Sequence, residues 1–124
     1  MDFNEAVDFG VTADSGERMD FDGALDFLEQ RSGRGSVMGL DSIRNLLREL
    51  SDPQKDLEFV HIAGTNGKGS VCAFLTSVLA EAGYRVGTFT SPHLVDIRER
   101  FRLNGRMMTE EAFAAFMNLV MDRL

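Results

Sequence analysis

The chain has 124 residues, 44% of them hydrophobic and 27% charged, with a formal net charge of −7. That length suits one domain with a moderate core, and the acidic balance argues against a basic surface that grips nucleic acid. No apolar stretch approaches the roughly twenty residues needed to cross a membrane. The N-terminus also lacks the basic and apolar regions of a signal peptide, and the single Cys72 has no internal disulfide partner, so the expected setting is a reducing cytoplasm.

The first segment carries an echo, in which Met1-Asp2-Phe3 and the residues after it resemble the run from Met19-Asp20-Phe21. One short copy is no solenoid. The polar, glycine-containing stretch between them suggests that residues 1–18 form a loosely attached, flexible extension. A helix then starts at Asp20 or Asp22, with Phe21, Ala24, Leu25 and Leu28 on one face.

Residues 31–39 form a glycine-rich loop with two arginines, read as a linker or as a mobile ligand-binding loop. Asp41 or Ser42 caps the next helix, whose apolar residues Ile43, Leu46, Leu47 and Leu50 follow i, i+3, i+4, i+7 spacing; Ser51-Asp52-Pro53 ends it. A buried strand is expected from Leu57 to Ala63, with His61 as a satisfied core histidine.

Gly64-Thr65-Asn66-Gly67-Lys68-Gly69-Ser70 follows that strand and opens a helix, which is the context a phosphate-binding turn requires. Backbone N–H groups of the turn and of the first helical residues lack intrahelical partners, so they converge on anionic oxygens. Lys68, one of only two lysines, adds a full positive charge. Gly69 separates Lys68 from Ser70, so the loop is a variant of the common form in which Ser or Thr follows the lysine directly. The Ser70 hydroxyl suits Mg²⁺ arriving with a nucleotide.

Val71, Leu75, Val78, Leu79 and Ala82 are the expected buried face of the helix after the loop, and Gly83 its C-terminal cap. Cys72 in its first turn reads as buried filler. Residues 85–90 read as a second strand, and strand, helix, strand in about thirty residues predicts a parallel βαβ unit. Ligands of open α/β sheets lie at the carboxyl ends of strands, which directs attention to Thr90-Ser91-Pro92-His93. Arg98, Arg100 and Arg102 would share a face on a strand, although interleaved Asp96 and Glu99 make a solvated salt-bridge patch an equal reading. After the turn Asn104-Gly105, Thr109 caps a last helix with Phe113, Phe116, Met117, Val120, Met121 and Leu124 on its apolar face. That face reads as a core helix lacking some of its packing neighbours.

The segment His61 to Ser70, followed by Thr90-Ser91-Pro92-His93-Leu94 and Glu99-Arg100-Phe101, closely resembles the folylpolyglutamate synthase and dihydrofolate synthase family. The loop alone is similar to the wider Mur ligase superfamily, and Ser91-Pro92-His93 points to the folate branch. The resemblance covers residues 19–124 and implies an α/β fold, the N-terminal part of a P-loop-type Mur ligase ATPase domain, incomplete in this chain. It implies a C–N ligase that uses ATP and Mg²⁺ to join L-glutamate to dihydropteroate or folates through an acyl phosphate, acting as a monomer at full length.

By the same resemblance, Gly64 to Ser70 bind ATP, with Lys68 as the catalytic cation, and Ser70 and Ser91 ligate the metal. Ser36, Val37, Met38, Pro92, His93 and Arg100 face the substrate. Family enzymes are considerably longer, so the isolated chain is expected to lack turnover while retaining weak nucleotide binding. Another Mur-type amino-acid ligase, or a non-catalytic nucleotide-binding module, are the alternatives.

Overall fold

The computed structural model describes residues 18–32 and 39–123. The extension up to residue 17 and the predicted substrate residues Ser36, Val37 and Met38 lie outside the described residues. The elements, in order, are α1 (Phe21–Ser32), α2 (Asp41–Glu49), a 3-10 turn (Pro53–Asp56), α3 (Lys68–Glu81), β1 (Gly87–Phe89), a second 3-10 turn (Ile97–Arg100), β2 (Phe101–Leu103), β3 (Arg106–Met107) and α4 (Glu110–Met121).

Asp20 starts α1 by accepting the Gly23 N–H at 2.9 Å. Thr109 starts α4 in the same way, its Oγ1 accepting from the Ala112 N–H, with Glu110 and Glu111 complementing the positive end of the helix. The two helices pack together around Ala24, Phe113 and Met117. Phe113, 1% exposed, is the centre of this core. Its ring meets Phe21 of α1 at 5.7 Å and Phe101 of β2 at 6.0 Å, so one side chain joins both helices to the sheet.

The buried stripe of α4 is rotated from the one expected. Ala114 and Asn118 are inside, whereas Met121 is at the surface. The cause is Asn118, which is only 2% exposed. Its Oδ1 accepts the Met19 N–H at 3.0 Å, and its Nδ2 donates to the Met19 carbonyl at 2.9 Å and the Ala114 carbonyl at 2.8 Å. One amide therefore ties the entry of α1 to α4. Asn118→Ala leaves these backbone groups without that partner, and we expect a loss of about 1–3 kcal/mol, read from the urea midpoint.

Two expected features of the sheet are corrected. Residues 57–63 form no strand, and every strand pair is antiparallel, in the order β1-β2-β3. A parallel partner for β1 would have to be residues 57–63, yet that stretch has no ladder among the described residues and exposes Phe59 at 71%. β1 pairs instead with β2, because the chain loops back after Thr90; the Thr90 N–H donates to the Arg100 carbonyl at 3.1 Å, extending the ladder. Asn104 (φ 48°) and Gly105 (φ 77°) then close a two-residue hairpin to β3, with Leu103 opposite Arg106.

Other local expectations also shift. The N-cap of α2 is Leu40 with no side-chain cap bond, so neither Asp41 nor Ser42 caps it. Ser51 and Asp52, both at positive φ, end that helix region as expected. On α3, Thr76 is the buried residue, Leu75 and Leu79 are half-buried, and Val71 and Val78 are exposed. Gly83 (φ 91°) ends α3 as expected: its N–H donates to the Ala80 carbonyl and the Tyr84 N–H to the Leu79 carbonyl. Cys72 is half-buried, and His61 is exposed and not in the core; of residues 57–63 only Ile62 is half-buried.

Candidate functional site

Gly64 to Ser70 stand at the amino end of α3, all of them exposed. Gly67 is the N-cap at φ 76°, a conformation that side-chain-bearing residues rarely adopt. The first ladder bond of α3 is from the Val71 N–H to the Gly67 carbonyl, so the amides just before it point out of the helix end. A Cβ at Gly67 or Gly69 would meet nothing within 4 Å, so open space faces the turn. Lys68 folds back over the loop, its Nζ donating to the Gly64 carbonyl at 2.7 Å and, more weakly, to Thr65 at 3.4 Å. Loop amides and one ammonium thus share a surface suited to polyphosphate.

After Gly83 the chain turns back, and α3 and β1 are joined by the Thr76 and Thr88 hydroxyls at 2.8 Å. Thr90-Ser91 follow directly on the chain leaving β1. The Ser91–Pro92 peptide is cis, and both residues are exposed. As metal donors, Ser70 and Ser91 supply neutral hydroxyl oxygens, chemically suited to Mg²⁺ but only part of a shell. Among the described residues no group of three His, Cys, Asp or Glu could hold a metal.

His93 and Arg100, predicted separately, are brought together: Arg100 Nε donates to His93 Nδ1 at 2.9 Å. Both residues line a groove of about 550 Å³ whose apolar wall is Phe21, Leu25 and Leu28 of α1. Glu29 and Asp96 also line it, so the groove carries both acidic and basic groups beside that apolar wall.

The three alternating arginines do not share a face, because residues 97–100 form a 3-10 turn and not a strand. Arg98 binds Asp96 at 2.6 Å and Glu110 at 3.3 Å and stacks over Phe21, whereas Arg102 donates to the Glu99 carbonyl.

For Asp96 and Glu99 a solvated salt-bridge patch is one of two equal readings of the sequence; Asp96 does form an ion pair with Arg98, and both carboxylates also organise the segment. They form a capping box: the Arg98 N–H donates to Asp96, and the Asp96 N–H to Glu99. The Arg98 guanidinium hydrogen bond holds the Asp96 carboxyl below its ordinary value of 3.8, and the backbone N–H of Leu94, followed by those of Asp96 and Val95, lowers that of Glu99 below 4.5. Both folded-state values are depressed, so the stabilisation is complete above the unfolded values and disappears as pH falls through the folded ones. We expect the amides of residues 94–98 to be ordered at about pH 6 and to lose protection below about pH 4, as measured by NMR hydrogen exchange.

No protein-family model matches the chain. It is 42% identical over 95 residues to the dihydrofolate synthase/folylpolyglutamate synthase of Bacillus subtilis, covering 77% of this chain and 22% of that protein. Among solved structures it resembles Escherichia coli FolC in complex with DHPP and ADP, with a TM-score of 0.66 and 34% identity over 85% of this chain and 26% of that one. It also resembles the bifunctional folylpolyglutamate synthase/dihydrofolate synthase of Yersinia pestis complexed with AMPPNP and Mn, with a TM-score of 0.69 and 28% identity over 85% and 26%. The chain thus spans about a fifth of the length of the curated relative that it matches.

Proposed function

Since the chain belongs to the folylpolyglutamate and dihydrofolate synthase family over the segment shared with those relatives, we propose that it forms the phosphate-binding part of an ATP-dependent ligase that adds L-glutamate to dihydropteroate or folates. The observation that carries this reading is the Gly64–Ser70 turn, with its αL Gly67 and its lysine at the start of α3. The nucleotide complexes of the FolC and Yersinia pestis relatives support it.

In the proposed reaction the γ-phosphoryl group of ATP passes to a carboxylate oxygen of the folate-type acceptor, and ADP leaves. The glutamate nitrogen then attacks the acyl carbon, the carbon–oxygen bond to phosphate breaks, and inorganic phosphate departs as the nitrogen loses a proton. Such transfer depends chiefly on positioning and charge neutralisation. Turn amides and Lys68 hold the β- and γ-phosphates in this reading. Ser70 and Ser91 are the residues that would hold Mg²⁺, which supplies further charge neutralisation when bound. His93 and Arg100 orient the acceptor in the α1 groove.

The test is a chimera in which this segment replaces its counterpart in the Bacillus subtilis relative. ADP release should require both L-glutamate and dihydropteroate or a folate. Release that follows a nucleotide-sugar acceptor instead would favour another Mur-type ligase, and a chimera that only binds nucleotide would favour the non-catalytic module.

A further inference from the structure

We propose that Glu99 is a positioning residue: its carboxylate gathers three consecutive backbone N–H groups and thereby sets where His93 and Arg100 stand in the groove. Oε2 accepts the Leu94 N–H, and Oε1 accepts those of Val95 and Asp96, each at 2.9 Å. Side-chain packing does not hold this stretch, because Leu94 and Val95 are each 91% exposed. The backbone bonds to Glu99 take the place of a core.

The remaining contacts make the segment one unit. Glu99 returns its own N–H to the Asp96 carbonyl, Asp96 is held by Arg98, and Arg98 is anchored on Glu110 of α4 and over the ring of Phe21 of α1. Glu99 is therefore fixed relative to both helices. His93 directly precedes the three captured amides and Arg100 directly follows Glu99, so the carboxylate closes the loop whose two ends meet in the Arg100–His93 hydrogen bond. That this matters for an acceptor rests on the function proposed above; the clamp itself does not.

The experiment uses the 124-residue chain and its Glu99→Gln variant. Gln keeps the size but replaces one acceptor oxygen with an NH₂ that faces backbone N–H groups. We expect hydrogen exchange at Leu94, Val95 and Asp96 to accelerate at least tenfold, and the ¹⁵N resonance of His93 Nδ1 to lose its hydrogen-bonded signature. The amides around Asn118 should remain protected, which separates loss of the clamp from unfolding. Unchanged exchange at residues 94–96 would overturn the clamp, and released amides with an unaltered His93 signal would overturn the positioning role. Titration with dihydropteroate is read separately: if the wild-type chain shows no shift at His93 or Arg100, the acceptor reading of the groove fails while the two NMR criteria still decide the role of Glu99.

Discussion

Lys68→Ala should lower turnover of the chimeric ligase by about 10²–10³-fold, the loss typical when one preorganised donor to a developing negative charge is removed. Lys68 is exposed and its ammonium reaches only loop carbonyls, at 2.7 and 3.4 Å, so the substitution leaves no cavity and uncovers no buried charge. The fold should survive it. Nucleotide affinity of the chain should weaken at least tenfold while the urea midpoint stays within the scatter of surface substitutions, about ±0.5 kcal/mol. Lys68→Arg is a sharper probe, because a planar guanidinium does not replace a compact ammonium in a turn of this size. Full turnover in either variant would remove Lys68 from the phosphate site.

Phe113→Ala should be the most destabilising single change in the described fold. The side chain is 1% exposed and contacts Phe21 and Phe101, so truncation opens a cavity where α1, α4 and β2 meet. Comparable substitutions cost about 3–5 kcal/mol, against a total domain stability of about 5–15 kcal/mol. Urea titration should show the midpoint falling sharply or the cooperative transition vanishing. Phe74→Ala on α3, where the ring is 71% exposed, is the matched control and should stay within about 0.5 kcal/mol.

These two sites also mark how far the sequence was legible. Helix α4 announced itself through Thr109 and its apolar spacing, and the glycine turn that opens α3 at Lys68 is legible from its residues as a candidate phosphate-binding turn. Both signals are local, fixed by backbone hydrogen bonding within a few residues. The orientation of the α4 stripe was not local. Asn118 reads as a polar break in an apolar face, and only its pairing with the Met19 backbone, 99 residues away, makes it core.

The sheet failed for a related reason. Periodicity can suggest an extended apolar run at residues 57–63, but a strand also needs a neighbour, and none lies alongside it among the described residues. Residues 96–102 carry two competing local signals. Alternating charges suggested one face of a strand, whereas Asp96 and Glu99, three apart, match a capping box. That pattern ends the extended reading at Asp96, turns the arginines in different directions, and leaves Arg100 alone to meet His93.

Whether the Gly64–Ser70 turn holds nucleotide phosphate is decided by titrating the ¹⁵N-labelled chain with ATP and Mg²⁺ and following its backbone amides. Saturable shifts should concentrate on residues 65–71 and extend to Ser91, reproduced by ADP and absent with adenosine. Shifts confined to the α1 groove, or none at the turn at saturating nucleotide, would remove the phosphate site from this turn.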